Sequence, residues 1–174
     1  MSGLIDRIRP PEKLSPDHDL SQLQCGEPAL DDWLRRRALY NEERGASRTY
    51  VICVGKRVMG YYALALGAVA HVDAPGRIRR NMPDPVPVMV IGRLAVDQTV
   101  QGQRIGPSLL RDAVLRTLQA AEIAGIRAIL VHAISESAKR FYEKWGFISS
   151  PVDPMTLMLT VAEARREIVD ESKR

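Results

Sequence analysis

The segment from Val86 to Ala133 constrains the fold of this chain more than any other. It begins with the apolar run VPVMVIGRLAVD, passes through the turn QGQRIG into a helical pattern and ends in a second apolar run, RAILVHA. Two apolar strands joined by a helix require a right-handed crossover, which makes the strands parallel in one sheet. The segment therefore predicts a strand over 86–97, a helix over 107–124 and a strand over 127–133.

The first half predicts a helix and a hairpin. The helix is expected from Pro28 to about Arg44, because proline suits a first turn and Gly45 is a stop signal. Two strand patterns, 48–54 and 58–69, flank a Gly-Lys turn. The remaining expectations are an irregular segment over 1–26, a long loop over 73–87, a short helix over 136–145 and a strand over 156–161. Together they predict an α/β (α+β) protein with a mixed sheet flanked by helices.

Length and composition predict a single domain over residues 1–174, with ends at 1–12 and 163–174 that are expected to fray. Apolar residues make up 45% of the chain and charged residues 26%, which is typical of a soluble globular protein. No run reaches the roughly 18 apolar residues of a membrane span, and the N-terminal segment does not resemble a signal peptide. A cytoplasmic protein that does not bind membranes is therefore expected.

Cysteines and histidines are too few to predict a disulfide framework or a metal centre. The two cysteines, Cys25 and Cys53, agree with a reducing compartment. The three histidines, His18, His71 and His132, show no metal-ligand spacing. We expect no metal site.

The turn QGQRIG, Gln101 to Gly106, is a candidate phosphate site. Unpaired backbone N–H groups and the positive end of the helix dipole bind anions at a helix N-terminus. Taken alone, such a turn is as often an ordinary helix cap. It lacks the pattern of a P-loop or of a dinucleotide-binding turn.

The wider pattern resembles the GNAT superfamily of acetyl-CoA-dependent N-acetyltransferases. The resemblance extends over about 13–161 and is carried by RLAVD, QGQRIG, LVHAIS and AKRFYEKWGF in that order. It implies a sheet of six to seven strands with about four helices, in which the central parallel strands splay apart. It also implies acetyl-CoA as cosubstrate. Residues implied in cofactor binding are Leu94, Ala95, Val96, Gln101, Gly102, Gln103, Arg104, Ile105, Gly106 and Ser108.

Within this turn, Arg104 departs from the family signature Gln/Arg-x-x-Gly-x-Gly/Ala. Gln101 and Gly106 match the signature, whereas Arg104 replaces its first glycine. Glycine there permits positive φ and a close approach of the phosphate. We expect the arginine to weaken cofactor binding, while a guanidinium that pairs with a phosphate would offset this effect.

Several blocks narrow the resemblance to acetyltransferase toxins of bacterial toxin–antitoxin pairs, of the TacT, AtaT and KacT type. These blocks are CGEPALDDWLRRRALYNEERGASRTYVICV, VMGYYALALGAV, RIRRNMPDPVPVMVIGRLAVD and GIRAILVHAISESAKRFYEKWGF. Such toxins acetylate the amino group of aminoacyl-tRNA and stop translation. The resemblance implies aminoacyl-tRNA as substrate, a cognate antitoxin that is a small DNA-binding protein, and a homodimer.

Tyr142 is the candidate catalytic residue. Its spacing from Ala138, Phe141 and Trp145 on one helical face favours a core aromatic, but the resemblance implies that it protonates the departing thiolate. The resemblance also implies that a backbone N–H near Gly92 polarises the thioester carbonyl. No base is evident. His132 and Glu136 are candidates, and the apolar strand around His132 favours a structural role.

Basic residues suggest contact with RNA phosphates. The protein has a net charge of +4, and Arg77, Arg79, Arg80 and Arg93 flank the proposed active-site strand. We expect these four to bind tRNA. Arg35, Arg36 and Arg37 diverge by about 100° per residue around a helix, which favours a solvated face.

Two alternatives remain open from the sequence. One is a GNAT enzyme that acetylates a small amine or a protein lysine. The other is a catalytically impaired GNAT domain that acts as a binding module or co-repressor with its antitoxin, and the arginine in the pyrophosphate turn is the feature that keeps it open.

Overall fold

The computed structural model describes residues 3–173, so that the predictions for residues 1, 2 and 174 fall outside the described residues. The strands are β1 (Glu12–Lys13), β2 (Arg48–Val54), β3 (Arg57–Val69), β4 (Val86–Val96), β5 (Ala128–His132), β6 (Ile148–Ser149) and β7 (Thr156–Thr160). The helices are α1 (Pro28–Trp33), α2 (Leu39–Arg44), α3 (Gly76–Arg79), α4 (Ile105–Ala121), α5 (Glu136–Lys144) and α6 (Val161–Ser172).

The strands form one mixed sheet in the order β1-β2-β3-β4-β5-β7-β6. β2 and β3 form the predicted antiparallel hairpin, and β4 and β5 form the predicted parallel pair. A seven-stranded mixed sheet with helices confirms the fold class.

The parallel register of β4 and β5 is shorter than β4 itself. Val88–Ile91 pairs with Ala128–Val131, whereas β4 continues through Gly92–Val96. Within the described residues, the pairing with β5 thus stops before the last part of β4. The resemblance to GNAT proteins implies that the two central parallel strands, here β4 and β5, splay apart.

The chain divides into two compact units. The first consists of the residues up to Ala65 together with Arg93–Ala113, and the second of Leu66–Gly92 together with the residues from Val114 onward.

The core of the first unit packs the N-terminal helix against the hairpin. Leu34 and Tyr61 are fully buried. The Trp33 and Tyr61 rings stack with centroids 5.9 Å apart, and the Tyr61 hydroxyl donates to the Leu30 carbonyl over 2.7 Å. The core of the second unit includes Ile78, Val86 and Met158, which are also fully buried.

The first helix begins and ends where the sequence predicts, although its middle is irregular. Pro28 occupies its first turn, and Gly45 ends α2 with φ +73°. Between α1 and α2 the residues Leu34–Ala38 form a π-helical segment. Proline and glycine locate the ends because each restricts or permits one backbone conformation locally.

Four expectations from the sequence were wrong in detail. The loop over 73–87 contains the short helix α3, and α4 begins at Ile105 rather than at residue 107. The segment 163–172, expected to fray, lies in α6, where the Thr160 hydroxyl accepts from the Glu163 N–H over 3.0 Å. The strands β1 and β6 were not predicted, because two residues carry no periodicity.

Among residues 3–173, no helix is long and apolar enough to cross a membrane. Both cysteines are buried free thiols. Burial raises the pKa of each thiol to about 11.

Candidate functional site

The turn before α4 adopts left-handed backbone at two positions. Gly102 has φ +79° and Arg104 has φ +64°. A left-handed conformation costs a non-glycine residue about 1–2 kcal/mol of conformational free energy. Arg104 adopts this conformation, which the signature glycine favours, despite the cost. Arg104 therefore has the left-handed backbone that a glycine adopts without this cost.

Gln101 holds the turn in place with its side chain. Its Nε2 donates to the carbonyls of Cys25 and Val96, both over 2.8 Å. The amide thus ties the turn to the N-terminal segment and to the end of β4. The predicted cofactor residue is a positioning residue, whose side chain faces protein carbonyls.

Asp97 is a second anchor, which the sequence analysis missed. Its carboxylate is 1% exposed and accepts from the N–H and hydroxyl of Thr99 over 3.0 and 2.6 Å and from the Gln24 N–H over 3.1 Å. Burial acts to raise its pKa, but these hydrogen bonds and Arg57 at 3.7 Å outweigh it, and the pKa lies below its usual value. The Asp-x-Thr spacing is an Asx-turn signal that could have identified it.

The first turn of α4 leaves main-chain donors for an anion. The first amides of a helix have no carbonyl partner within it, and Pro107 has no N–H. The Ser108 hydroxyl and N–H both point to the Arg104 carbonyl, at 3.0 and 3.3 Å. Ser108 is therefore engaged within the protein, while Ile105 and Gly106 contribute the N–H groups of the helix start.

The end of β4 is held closely by β3. A Cβ at Gly60 would lie 2.9 Å from the Ala95 carbonyl oxygen, so only glycine fits there. A Cβ at Gly92 would meet no atom within 4 Å. The close backbone approach thus lies at Gly60 rather than at Gly92, while Leu94 and Val96 on either side of buried Ala95 are half-buried.

Tyr142 lies in α5 of the second unit and is 6% exposed. Its ring centroid lies 5.1 Å from that of Phe141 and 5.8 Å from that of Phe147, the latter edge-on. Burial raises the pKa of its hydroxyl to about 12. The tyrosine therefore packs as a core aromatic and also keeps its proton at neutral pH, as a proton donor must.

His132, at the end of β5, is exposed. Its Nδ1 lies 2.9 Å from the Thr156 hydroxyl, which donates to Asp153 Oδ2 over 2.8 Å. A hydroxyl has one hydrogen, so Thr156 accepts from Nδ1–H, and Nε2 of the neutral ring carries a free lone pair. Glu136, the other candidate base, is exposed in the first turn of α5.

Two of the predicted tRNA-binding arginines line one cavity of the second unit. The cavity is about 330 Å³ in volume, and Arg77, Arg80 and Arg166 lie on its wall beside the start of α6. Arg77 pairs with Glu163 over 2.6 Å. Arg166 was missed, because α6 was expected to be a frayed tail. Arg79 points elsewhere, toward the His71 carbonyl at 3.4 Å.

Of the other basic residues singled out in the sequence, Arg93 and Arg35 contact protein groups of the first unit. The Arg93 guanidinium lies 4.4 Å from the Trp33 ring centroid, a cation–π contact. Arg35 pairs with Asp32 over 2.8 Å, while Arg36 and Arg37 are exposed. This divergence agrees with the solvated face expected of the three consecutive arginines.

Glu12, His18 and Cys53 form a cluster that the sequence spacing did not reveal, with ligand atoms within 4.8 Å of one another. The Ser15 N–H donates to His18 Nδ1 over 3.0 Å, so Nε2 of the neutral ring carries the proton and donates to Glu12 over 3.2 Å. A metal ligand needs a free lone pair. Nε2 becomes a ligand only if the bond from Ser15 breaks.

Known proteins resemble this chain over nearly its whole length. A tRNA-acetylating toxin of Mycobacterium tuberculosis (strain ATCC 25618 / H37Rv) is 54% identical over 92% of this chain and 96% of its own. A structure of AtaT complexed with acetyl-methionyl-tRNAfMet matches with a TM-score of 0.85 and 27% identity, over 92% of this chain and 99% of that one.

A second solved structure combines two further partners. It is a Tyr-to-Phe mutant of the AtaT toxin bound to the C-terminus of the antitoxin AtaR and acetyl-CoA, with a TM-score of 0.81 and 26% identity, over 94% of this chain and 99% of that one. In addition, the family model of the acetyltransferase (GNAT) domain matches residues 45–149. With its mixed sheet and its turn before α4, this chain belongs to the GNAT acetyltransferase family.

Proposed function

We propose that this protein is a toxin that transfers the acetyl group of acetyl-CoA to the α-amino group of aminoacyl-tRNA and so blocks translation. The observation that carries the proposal is the similarity to the tRNA-acetylating toxin of Mycobacterium tuberculosis, which is 54% identical over 92% of this chain. At this identity and coverage, fold and site are expected to be retained together. Such a toxin works in the cytoplasm, where aminoacyl-tRNA is found.

In this proposal the turn binds the pyrophosphate of acetyl-CoA. The amides at the start of α4 supply donors, and Gln101 and Asp97 keep them in position through the contacts described above. Leu94, Ala95 and Val96 pair with the pantetheine arm through their main chain. A backbone N–H near the end of β4 polarises the thioester carbonyl.

Acetyl transfer then requires one proton to leave the amine and another to reach the thiolate of coenzyme A. The amine attacks the thioester carbonyl, the C–S bond breaks, and Tyr142 protonates the leaving sulfur. His132 Nε2 accepts the proton from the amine, while Thr156 and Asp153 hold the ring in the required tautomer. Tyr142 regains its proton from solvent, and His132 releases to solvent the proton that it took from the amine.

The basic cavity beside α6 supports an RNA substrate. Three arginines line this cavity, with Glu163 paired to one of them, and this excess of positive charge suits phosphate groups. Each phosphate contact increases the salt dependence of binding. We assign Arg77, Arg80 and Arg166 to the tRNA backbone, with Arg79 and Arg93 as further candidates. Replacing Arg80 by Ala is expected to reduce the slope of log affinity against log salt by about one unit, whereas Arg37→Ala leaves the slope unchanged.

The partners follow the same proposal. A cognate antitoxin, itself a small DNA-binding protein, neutralises the enzyme, as an antitoxin binds AtaT in the solved complex. We further propose that the toxin is a homodimer.

The test is a transfer assay with radiolabelled acetyl-CoA and a mixture of charged tRNAs, uncharged tRNAs, polyamines and a lysine-containing protein. Label is expected on charged tRNA and absent with Tyr142→Phe. Label only on polyamines or protein would favour the small-amine or lysine acetyltransferase. No transfer by a folded protein would favour the impaired binding module.

The proposed base has its own test. In His132→Ala, kcat is expected to fall about 100-fold with little change in KM for acetyl-CoA, and added imidazole is expected to restore part of the loss. Thr156→Val, which removes the partner of Nδ1, is expected to have a smaller effect of the same kind. Full activity of His132→Ala would contradict the assignment.

A further inference from the structure

We propose that Arg104, together with a cavity beside the turn, binds the 3′-phosphoadenosine end of coenzyme A. This inference rests on the proposed function and extends it to a part of the cofactor that the main-chain amides of the turn do not bind. The cavity lies wholly within the first unit and has a volume of about 340 Å³. Its walls come from the N-terminal segment, from β2 and from the first turns of α4.

Most of the cavity wall is apolar. Ile5, Ile8, Ile52 and Leu109 contribute to it, and Ile5 remains 37% exposed. A concave apolar surface with a few polar groups is typical of a small-molecule site. The flat, weakly polar faces of an adenine ring suit such walls, and a ring of that kind also stacks on a guanidinium plane.

Two arginines, Arg9 and Arg104, line the same cavity. Arg9 is paired with Glu12 over 2.8 Å, so its charge is already partly compensated. Arg104 is exposed, and among the described residues it has no ion-pair partner. A guanidinium binds phosphate through two parallel hydrogen bonds. An apolar wall with an unpaired arginine therefore fits a ligand that combines an aromatic base and a phosphate.

The backbone explains why the arginine is compatible with the turn. At φ +64°, Arg104 has the left-handed backbone that a glycine readily adopts, so the arginine is compatible with this turn conformation. Residues in such sparsely populated conformations cluster at ligand-binding sites. Coenzyme A carries its pyrophosphate and its 3′-phosphate on one ribose, so one molecule can contact both the amides and the guanidinium.

The test compares coenzyme A with 3′-dephospho-coenzyme A by titration calorimetry. The wild-type protein is expected to bind coenzyme A about tenfold more tightly, as a charge-assisted contact implies. In Arg104→Asn, which tolerates left-handed backbone, and in Arg104→Gly, this preference is expected to fall below about twofold. Arg37→Ala, the loss of another exposed arginine, is expected to retain it. Ile8→Ala is expected to weaken both ligands equally, because both contain the base.

Three results would overturn the inference. The wild-type protein would bind both ligands equally well, or the Arg104 variants would lose affinity for both by the same factor. Tighter binding of both ligands by Arg104→Gly would show that the arginine impairs the site. If the folded wild-type protein bound neither ligand, the proposed function itself would fail, so the two failures are distinguishable.

Discussion

The turn Gln101–Gly106 and the helix α5 present their functional groups in opposite ways. The turn is mostly exposed, offers main-chain amides and uses side chains such as Gln101 to hold the backbone. In α5, the proposed proton donor Tyr142 is a single buried side chain among aromatic rings. In the proposed function, the turn is therefore expected to tolerate an unusual residue such as Arg104 as long as φ is retained, whereas proton donation is expected to depend on one hydroxyl.

The largest expected effect tests the side-chain half of this comparison. Tyr142→Phe keeps the ring and its packing but removes the proton donor, so kcat for acetyl transfer is expected to fall by at least about 100-fold. KM for acetyl-CoA is expected to change less than twofold. Steady-state kinetics with charged tRNA measure both values, and an unchanged kcat would remove Tyr142 from the mechanism.

The same hydroxyl should make stability fall at alkaline pH. Burial raises the Tyr142 pKa from 10.0 to about 12, so the folded state retains a proton that the unfolded state loses above pH 10. The contribution is fully present below pH 10 and is lost as pH rises toward 12, by roughly 2–3 kcal/mol in total. Urea unfolding from pH 9 to 12 is expected to show a shallower decline for Tyr142→Phe. Parallel curves for the two proteins would contradict this effect.

A smaller effect tests the main-chain half. In Gln101→Ala the turn loses both bonds to Cys25 and Val96, and KM for acetyl-CoA is expected to rise about tenfold through misplaced amides. kcat at saturation is expected to remain nearly constant, which is the reverse of the expected Tyr142→Phe pattern. A fall in kcat without a change in KM would mean that Gln101 has a role in the chemical step.

The smallest effects are expected in the free energy of unfolding, where substitutions at two positions of the turn should act in opposite directions. Gly102→Ala places a Cβ at φ +79° and is expected to lower the free energy of unfolding by about 1 kcal/mol. Arg104→Gly relieves the same kind of strain but gives the unfolded chain more freedom, and a rise of about 0.5 kcal/mol is expected. Chemical denaturation measures both. A loss of stability in Arg104→Gly would show that the arginine side chain stabilises the folded turn.

Much of the fold could be predicted because its signals are local. Pro28 and Gly45 delimit the first helix, and the Gly-Lys turn after Val54 marks the hairpin. The apolar runs around α4 predict the parallel pair of β4 and β5. Short strands such as β1 and β6 escape prediction, since their two residues pair only after the neighbouring strands are in place.

Residue types at fixed spacing along the chain are enough to predict the family, a phosphate site in the turn before α4 and candidate roles for Tyr142 and Arg104. The folded chain was needed to show that Asp97 anchors the turn, that His132 is exposed with Nε2 free, and that Arg166 joins Arg77 and Arg80 at one cavity. The reason is physical: hydrogen-bond partners, burial and cavities arise from residues that are distant in sequence, and their arrangement exists only once the sheet has formed.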